Sequence, residues 1–204
     1  MKTKLILLLL LLVVVFSCTK TKINTVTTTI NDTTTVTTID TPFQTPIKTI
    51  VAQGILVDTI RTVPATGTEI GSEFYTSDTG TVSQLGGLFI AKNVAFTVTL
   101  WDVATESILA QANVTTTDTT KFAYTTITPI HLSANKLYMI SYNDGIYNTL
   151  LPTLKGASPS TLALPYSVGN VTFVGSFYIN SVAFPSTQQN EFITPADFVF
   201  KVNN

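Results

Sequence analysis

The chain has 204 residues, a formal net charge of −1, and 11% charged against 45% hydrophobic residues. That balance excludes a nucleic-acid binder, which needs a basic stripe to neutralise phosphates. It equally excludes a disordered chain, whose mark is high net charge and little apolar material. The length suits one domain able to bury a core. Thr is over-used, Gly, Pro, Asn and Asp are spread throughout, and no window carries a sustained helical apolar stripe, so strands are favoured over helices.

The first residues have their own logic. Lys2 and Lys4 precede an unbroken apolar run, residues 5–16. Such a run is shorter than the ~20 residues that span a bilayer as a helix, and it is the length of a signal-peptide apolar region. Val15-Phe16-Ser17 then leads to Cys18, the chain's one cysteine. A lone Cys in an exported chain has no disulfide partner. These residues resemble a bacterial lipoprotein signal, with Phe16 bulkier than the side chain usual at its place. The resemblance implies that residues 1–17 are a signal peptide and that Cys18 carries lipid, including palmitate. Several acyl chains at about 0.8 kcal/mol per buried CH₂ hold a protein firmly on a membrane. Thr19 rather than Asp after the Cys implies, by similarity to known sorting rules, the outer membrane of the cell envelope.

Residues 18–49 are Thr-rich, with Thr25-Val26-Thr27-Thr28-Thr29-Ile30 followed by Thr33-Thr34-Thr35-Val36-Thr37-Thr38-Ile39. Sparse apolar residues and no aromatic before Phe43 leave little surface to bury against the entropy of ordering, so the stretch reads as a tether. Ile23, Val26 and Ile30 keep a weak coiled-coil reading open. The folded domain is expected over residues 50–204.

Within it, strand-like runs recur: residues 55–63, 69–75, 82–91, 95–102, 107–114, 122–127, 136–143, 171–179 and 196–202. Pro64-Ala65-Thr66-Gly67 and Ser77-Asp78-Thr79-Gly80 are turn sequences. The central run Phe96-Thr97-Val98-Thr99-Leu100-Trp101-Asp102 alternates: Phe96, Val98 and Leu100 face one way, Thr97, Thr99 and Trp101 the other. Short strands at such spacing predict an all-β antiparallel sandwich or barrel.

Glu69-Ile70-Gly71-x-x-Phe74, Thr81-Val82, Leu85-Gly86-Gly87-Leu88-Phe89, Leu100-Trp101-Asp102 and Ile108-Leu109-Ala110 come in a recognisable order. Thr128-Pro129-Ile130, residues 137–142, Phe184-Pro185 and Asp197-Phe198-Val199-Phe200 continue it. In that order they resemble the bacterial family known as domain of unknown function 4082. The resemblance implies a jelly-roll-like β-sandwich, of the kind that accompanies immunoglobulin-like and carbohydrate-active domains in exported proteins. A carbohydrate-binding role is the expectation that follows by analogy.

Catalytic chemistry finds little to work with. The single His, His131, alternates with Ile130 and Leu132 and is expected at the surface, and no Gly-x-Ser-x-Gly elbow presents a nucleophile. No His/Cys cluster offers a zinc site. Glu69 and Glu73 share a strand face, but four residues at ~3.3 Å rise set their α-carbons ~13 Å apart, beyond the carboxyl spacing of glycosidases. They read as solvated strand-face charges. The chain is therefore expected to be no enzyme and to carry no cofactor. Asp78 beside Gly80, or Asn143-Asp144-Gly145, could lend ligands to a structural calcium, although both are ordinary turn sequences.

Aromatic rings are the binding hint, since a flat ring buries apolar area and carries a polar tip. Trp101, Tyr142 and Tyr147 are the candidate ligand-contacting residues, with Tyr166 and Tyr178 behind them. Two functions follow as expectations. One is a non-catalytic envelope lipoprotein whose module binds a glycan or other surface polymer. The other is a structural or assembly subunit that docks an envelope protein through sheet faces or edges.

Overall fold

The structure is a computed structural model that describes residues 42–62, 67–89, 91–143, 150–156, 162–190, 192 and 194–203. Cys18, most of the Thr-rich stretch, Tyr147, Asp144 and Gly145 lie outside the described residues. Thr41–Asn204 forms one compact unit.

Among the described residues, one short helix, α1 (Pro46–Ala52), precedes twelve strands: β1 (Leu56–Thr62), β2 (Glu69–Thr76), β3 (Gly80–Gly87), β4 (Ala95–Asp102), β5 (Ser107–Thr115) and β6 (Ala123–Leu132). Then come β7 (Tyr138–Asn143), β8 (Leu150–Gly156), β9 (Tyr166–Val168), β10 (Val171–Ile179), β11 (Thr187–Gln189) and β12 (Ala196–Val202). All strand pairs are antiparallel. The large sheet has the order β11-β10-β2-β7-β4-β5, with β9 also on β10, and the small sheet is β12-β3-β6. The two pack as a β-sandwich. β1 and β8 make a separate two-stranded ribbon.

The expected alternation is what builds the core. Phe96, Val98 and Leu100 of β4, Ile140 and Tyr142 of β7, and Ile70 and Phe74 of β2 turn one face of the large sheet inward. Leu85 of β3 with Phe198 and Phe200 of β12 meet them from the small sheet. Phe74 stacks on Phe198 at 4.7 Å between ring centroids, and Phe89 on Phe96 at 4.5 Å with 10° between planes. Stacked pairs of this kind add to the area they bury.

Two features depart from the sequence reading. The compact unit begins before residue 50. Pro46 opens α1 at a position where a missing N–H costs nothing, and Ile47 and Ile50 are fully buried. Seven residues are too few to leave a periodic signature, so the helix hides in what reads as the end of the tether. The second concerns the face of the large sheet that looks away from the small one. Polar residues at alternate positions suggest a solvated face, yet β7 is buried at every position. The segment 180–186, between β10 and β11, crosses toward that face and seats Phe184 edge-on against Trp101, 5.7 Å between centroids.

Candidate functional site

Two places in the sandwich could do chemistry or binding. The first is beneath the segment 180–186. Glu69, Ser141 and Trp101 project from neighbouring positions of β2, β7 and β4, because Gly71 pairs with Ser141 and Ser141 with Thr99 in the ladder. The Trp101 indole Nε1–H donates to Ser141 Oγ at 2.7 Å, and the Ser141 hydroxyl donates to Glu69 Oε1. Glu69 is only 1% exposed and Ser141 is fully buried. Burial pushes the Glu69 carboxyl up to about 7, against the opposing pull of the Ser141 hydroxyl and the Asn143 amide. Glu73, two repeats of the pleat further along the same face, is half-buried and also raised by burial. The reading of Glu69 as a solvated charge is thus corrected: polar side chains on this face satisfy one another instead of meeting water. A Ser hydroxyl held by a carboxylate is the start of a nucleophile, but this one has no exposed surface for a substrate to approach.

The second place is a cleft of about 350 Å³ between β5 and β6, lined among others by Leu109, Gln111, Thr125, Thr126, Thr128 and Ile130. β5 closes one edge of the large sheet and β6 one edge of the small sheet, so each is paired on one side only. Near their connecting loop the two are tied, with Thr125 Oγ1 donating to the Asn113 carbonyl at 3.0 Å. Further along they part, and the cleft opens. In the β4–β5 ladder Leu100 faces Ala110 and Trp101 faces Ile108, which leaves Leu109 as the extra residue of a bulge at the cleft wall. Pro129 of β6 has no N–H to leave unpaired on that edge.

The aromatic candidates end up elsewhere. Tyr142 is fully buried, its ring 5.8 Å from that of Phe89. Trp101 does lie opposite the core face, as parity requires, but it is 7% exposed and covered by Phe184, so its ring seats a segment of its own chain. Neither offers an open face to a sugar. Tyr147 is outside the described residues. Tyr166 and Tyr178 are half-buried and pack against the core. His131 is exposed, with Nδ1 3.2 Å from Thr81 Oγ1.

Of the calcium candidates, Asp78 is engaged by protein groups, and Asp144 and Gly145 lie outside the described residues. Asp78 Oδ2 accepts from Asn170 Nδ2 at 2.6 Å and from Ser77 Oγ at 2.8 Å, joining the β2–β3 and β9–β10 turns. Asn143 is buried. Among the described residues, no three His, Cys, Asp or Glu side chains come together as a metal site.

Ser141 and the cleft residues are the site groups that sequence reasoning missed. The one signal for Ser141 is a small polar residue inside the apolar run Tyr138-Met139-Ile140-Ser141-Tyr142. The cleft has no local signal, because it arises where two edge strands diverge. Compared with known families and with curated proteins, the chain matches no family model and no curated sequence.

Proposed function

We propose that this chain is a non-catalytic cell-envelope lipoprotein, anchored through lipid on Cys18, whose sandwich docks an extended segment of an envelope partner in the β5–β6 cleft. The observation that carries the reading is the cleft itself, bounded by two strands that each keep one unpaired edge. An extended polypeptide gains main-chain hydrogen bonds from such an edge and selectivity from the pockets beside it. Leu109 and Ile130 supply apolar contact, and Gln111 with the Thr hydroxyls supplies polar contact. The burial of Trp101 and Tyr142 removes the ring platforms that favoured a sugar.

A glycan strand is the second reading, favoured by the hydroxyl groups of Thr125, Thr126 and Thr128 in the same cleft. One experiment separates the two. The mature chain and its Thr126→Arg variant, which fills the cleft from an exposed position, are compared on envelope extracts and on a glycan array. A protein retained by the wild type and lost with Thr126→Arg supports docking. Glycan binding lost with the same variant supports the second reading. Binding that ignores Thr126→Arg, or no binding at all, overturns both. For the anchor, Cys18→Ala should abolish palmitate labelling and release the chain from membranes; continued attachment would count against it.

A further inference from the structure

The segment 180–186 closes a circuit. It leaves β10 at Ile179, which pairs with Glu69 in the ladder, passes Gly67 with Val182, and lands Phe184 on Trp101. Trp101 is bonded through Ser141 back to Glu69. The outer-face elements around that carboxyl carry no cation among the described residues. β7 presents Met139, Ser141 and Asn143, β10 presents Gly175, Phe177 and Ile179, and the segment itself, Asn180 to Ser186, has no charge. On β2 the same face carries the Glu73 carboxyl, of like sign, and the Tyr75 phenol. On β4, Asp102 beyond Trp101 is already paired with Lys136 at 2.6 Å.

We propose that segment 180–186 is a proton-gated strap, seated on Trp101 while Glu69 is neutral and released when Glu69 ionises. The physical reason is that a carboxylate buried among neutral donors, with no cation beside it among the described residues, is costly and draws in water. The Ser141 hydroxyl, bonded to Glu69, and the Asn143 amide soften that cost without removing it. Swinging Phe184 off the indole is the movement that opens the face, since the strap holds no charged anchor of its own. The raised Glu69 carboxyl places the transition in the neutral range.

The chain's single tryptophan is part of the circuit, so the protein carries its own reporter. Emission of the mature chain, titrated from about pH 5.5 to about pH 8.5, should shift to the red as the indole meets water. Over the same range, exchange protection of amides in 180–186 should fall roughly tenfold after correction for intrinsic rates. Glu69→Gln should hold the acid-like emission throughout. His131→Asn, which removes the chain's one imidazole, should leave the transition in place. Wild-type emission and strap exchange that do not change across the range would overturn the proposal. So would a transition that persists in Glu69→Gln. Strap exchange is read on the wild type alone, so the test stands even where a variant fails to fold.

Discussion

The carboxylate of Asp197 holds the first turn of α1 although the two are 150 residues apart: Oδ1 accepts the Ile47 amide at 3.0 Å. Oδ2 accepts Lys48 N–H at 3.1 Å and the Tyr124 hydroxyl at 2.8 Å. Asp197 is fully buried, and its partners come from the helix and from β6. The cap that α1 lacks at Thr45 is thus supplied by β12 from across the sequence. Just upstream, Gln44 and Phe200 exchange main-chain hydrogen bonds at 2.7 and 2.9 Å, so the free edge of β12 is covered as well. Whatever precedes Thr41 therefore enters a domain whose first residues are clamped.

Asp197→Ala should destabilise the sandwich by about 2–4 kcal/mol, because it strands two helix amides and a tyrosine hydroxyl at once. Tyr124→Phe removes one donor and should cost about 1 kcal/mol. Denaturant midpoints at constant m-value measure both. Equal losses for the two variants would show that the helix amides contribute nothing.

Stability should fall as pH rises from about 4 to about 7. Burial raises Asp197 from 3.8 to about 6 and Glu69 from 4.5 to about 7. In that window the folded chain binds more protons than the unfolded one, so raising pH favours unfolding, and above about 7 the effect levels off. Asp102 has the opposite sign: the Lys136 ammonium beside it lowers its pKa, and its contribution is lost as pH falls through the acid range. Calorimetry at about pH 5 and pH 8 should find Tm roughly 5 °C lower at the higher pH. A higher Tm at pH 8 would contradict the burial of these two carboxyls.

Gly86→Ala should be among the worst single substitutions in β3. A Cβ there would sit 2.2 Å from the Ala123 carbonyl oxygen and 2.3 Å from the Tyr124 ring. The carbonyl belongs to the paired strand and cannot step aside, so a loss of about 2 kcal/mol or more is expected. Urea unfolding of the variant beside wild type reads it.

Glu106→Gly should stabilise. Glu106 sits in the β4–β5 turn at φ 53°, a conformation a side chain resists. Relief of that strain outweighs the greater freedom of Gly in the unfolded chain, for a net gain of about 0.5–1 kcal/mol. A lowered midpoint would mean that the turn holds the side chain at no cost.

Phe96→Ala should cost about 3–5 kcal/mol, since it empties the ring stacked on Phe89 in the centre of the core. A loss below about 1 kcal/mol would mean that neighbouring side chains collapse into the space.

Much of the sandwich was legible in the chain. β4, β10 and β12 fall where the alternation of Phe96–Asp102 and the strand-like runs Val171–Ile179 and Ala196–Val202 put them, because extended backbone sends successive side chains to opposite faces. The parity that sends Trp101 away from Phe96, Val98 and Leu100 holds too. The helix α1 was not legible, since Ile47 and Ile50 are too few to show a period. β9 and β11, each three residues long, left no pattern either.

What the sequence determined by itself is local: which residues extend, which turn, and which side of β4 faces the core. Those follow from the pleat and from side-chain size. What only the tertiary structure decided is what covers the other side. Glu69, Ser141 and Thr99 look like a solvated face in any one strand, yet all three are buried in the folded sheet, and Phe184 of 180–186 lies across Trp101 on the same face. The β5–β6 cleft was decided the same way, by two sheets whose edges diverge. Burial and clefts depend on neighbours distant in the chain, and a pattern within one strand carries no record of them.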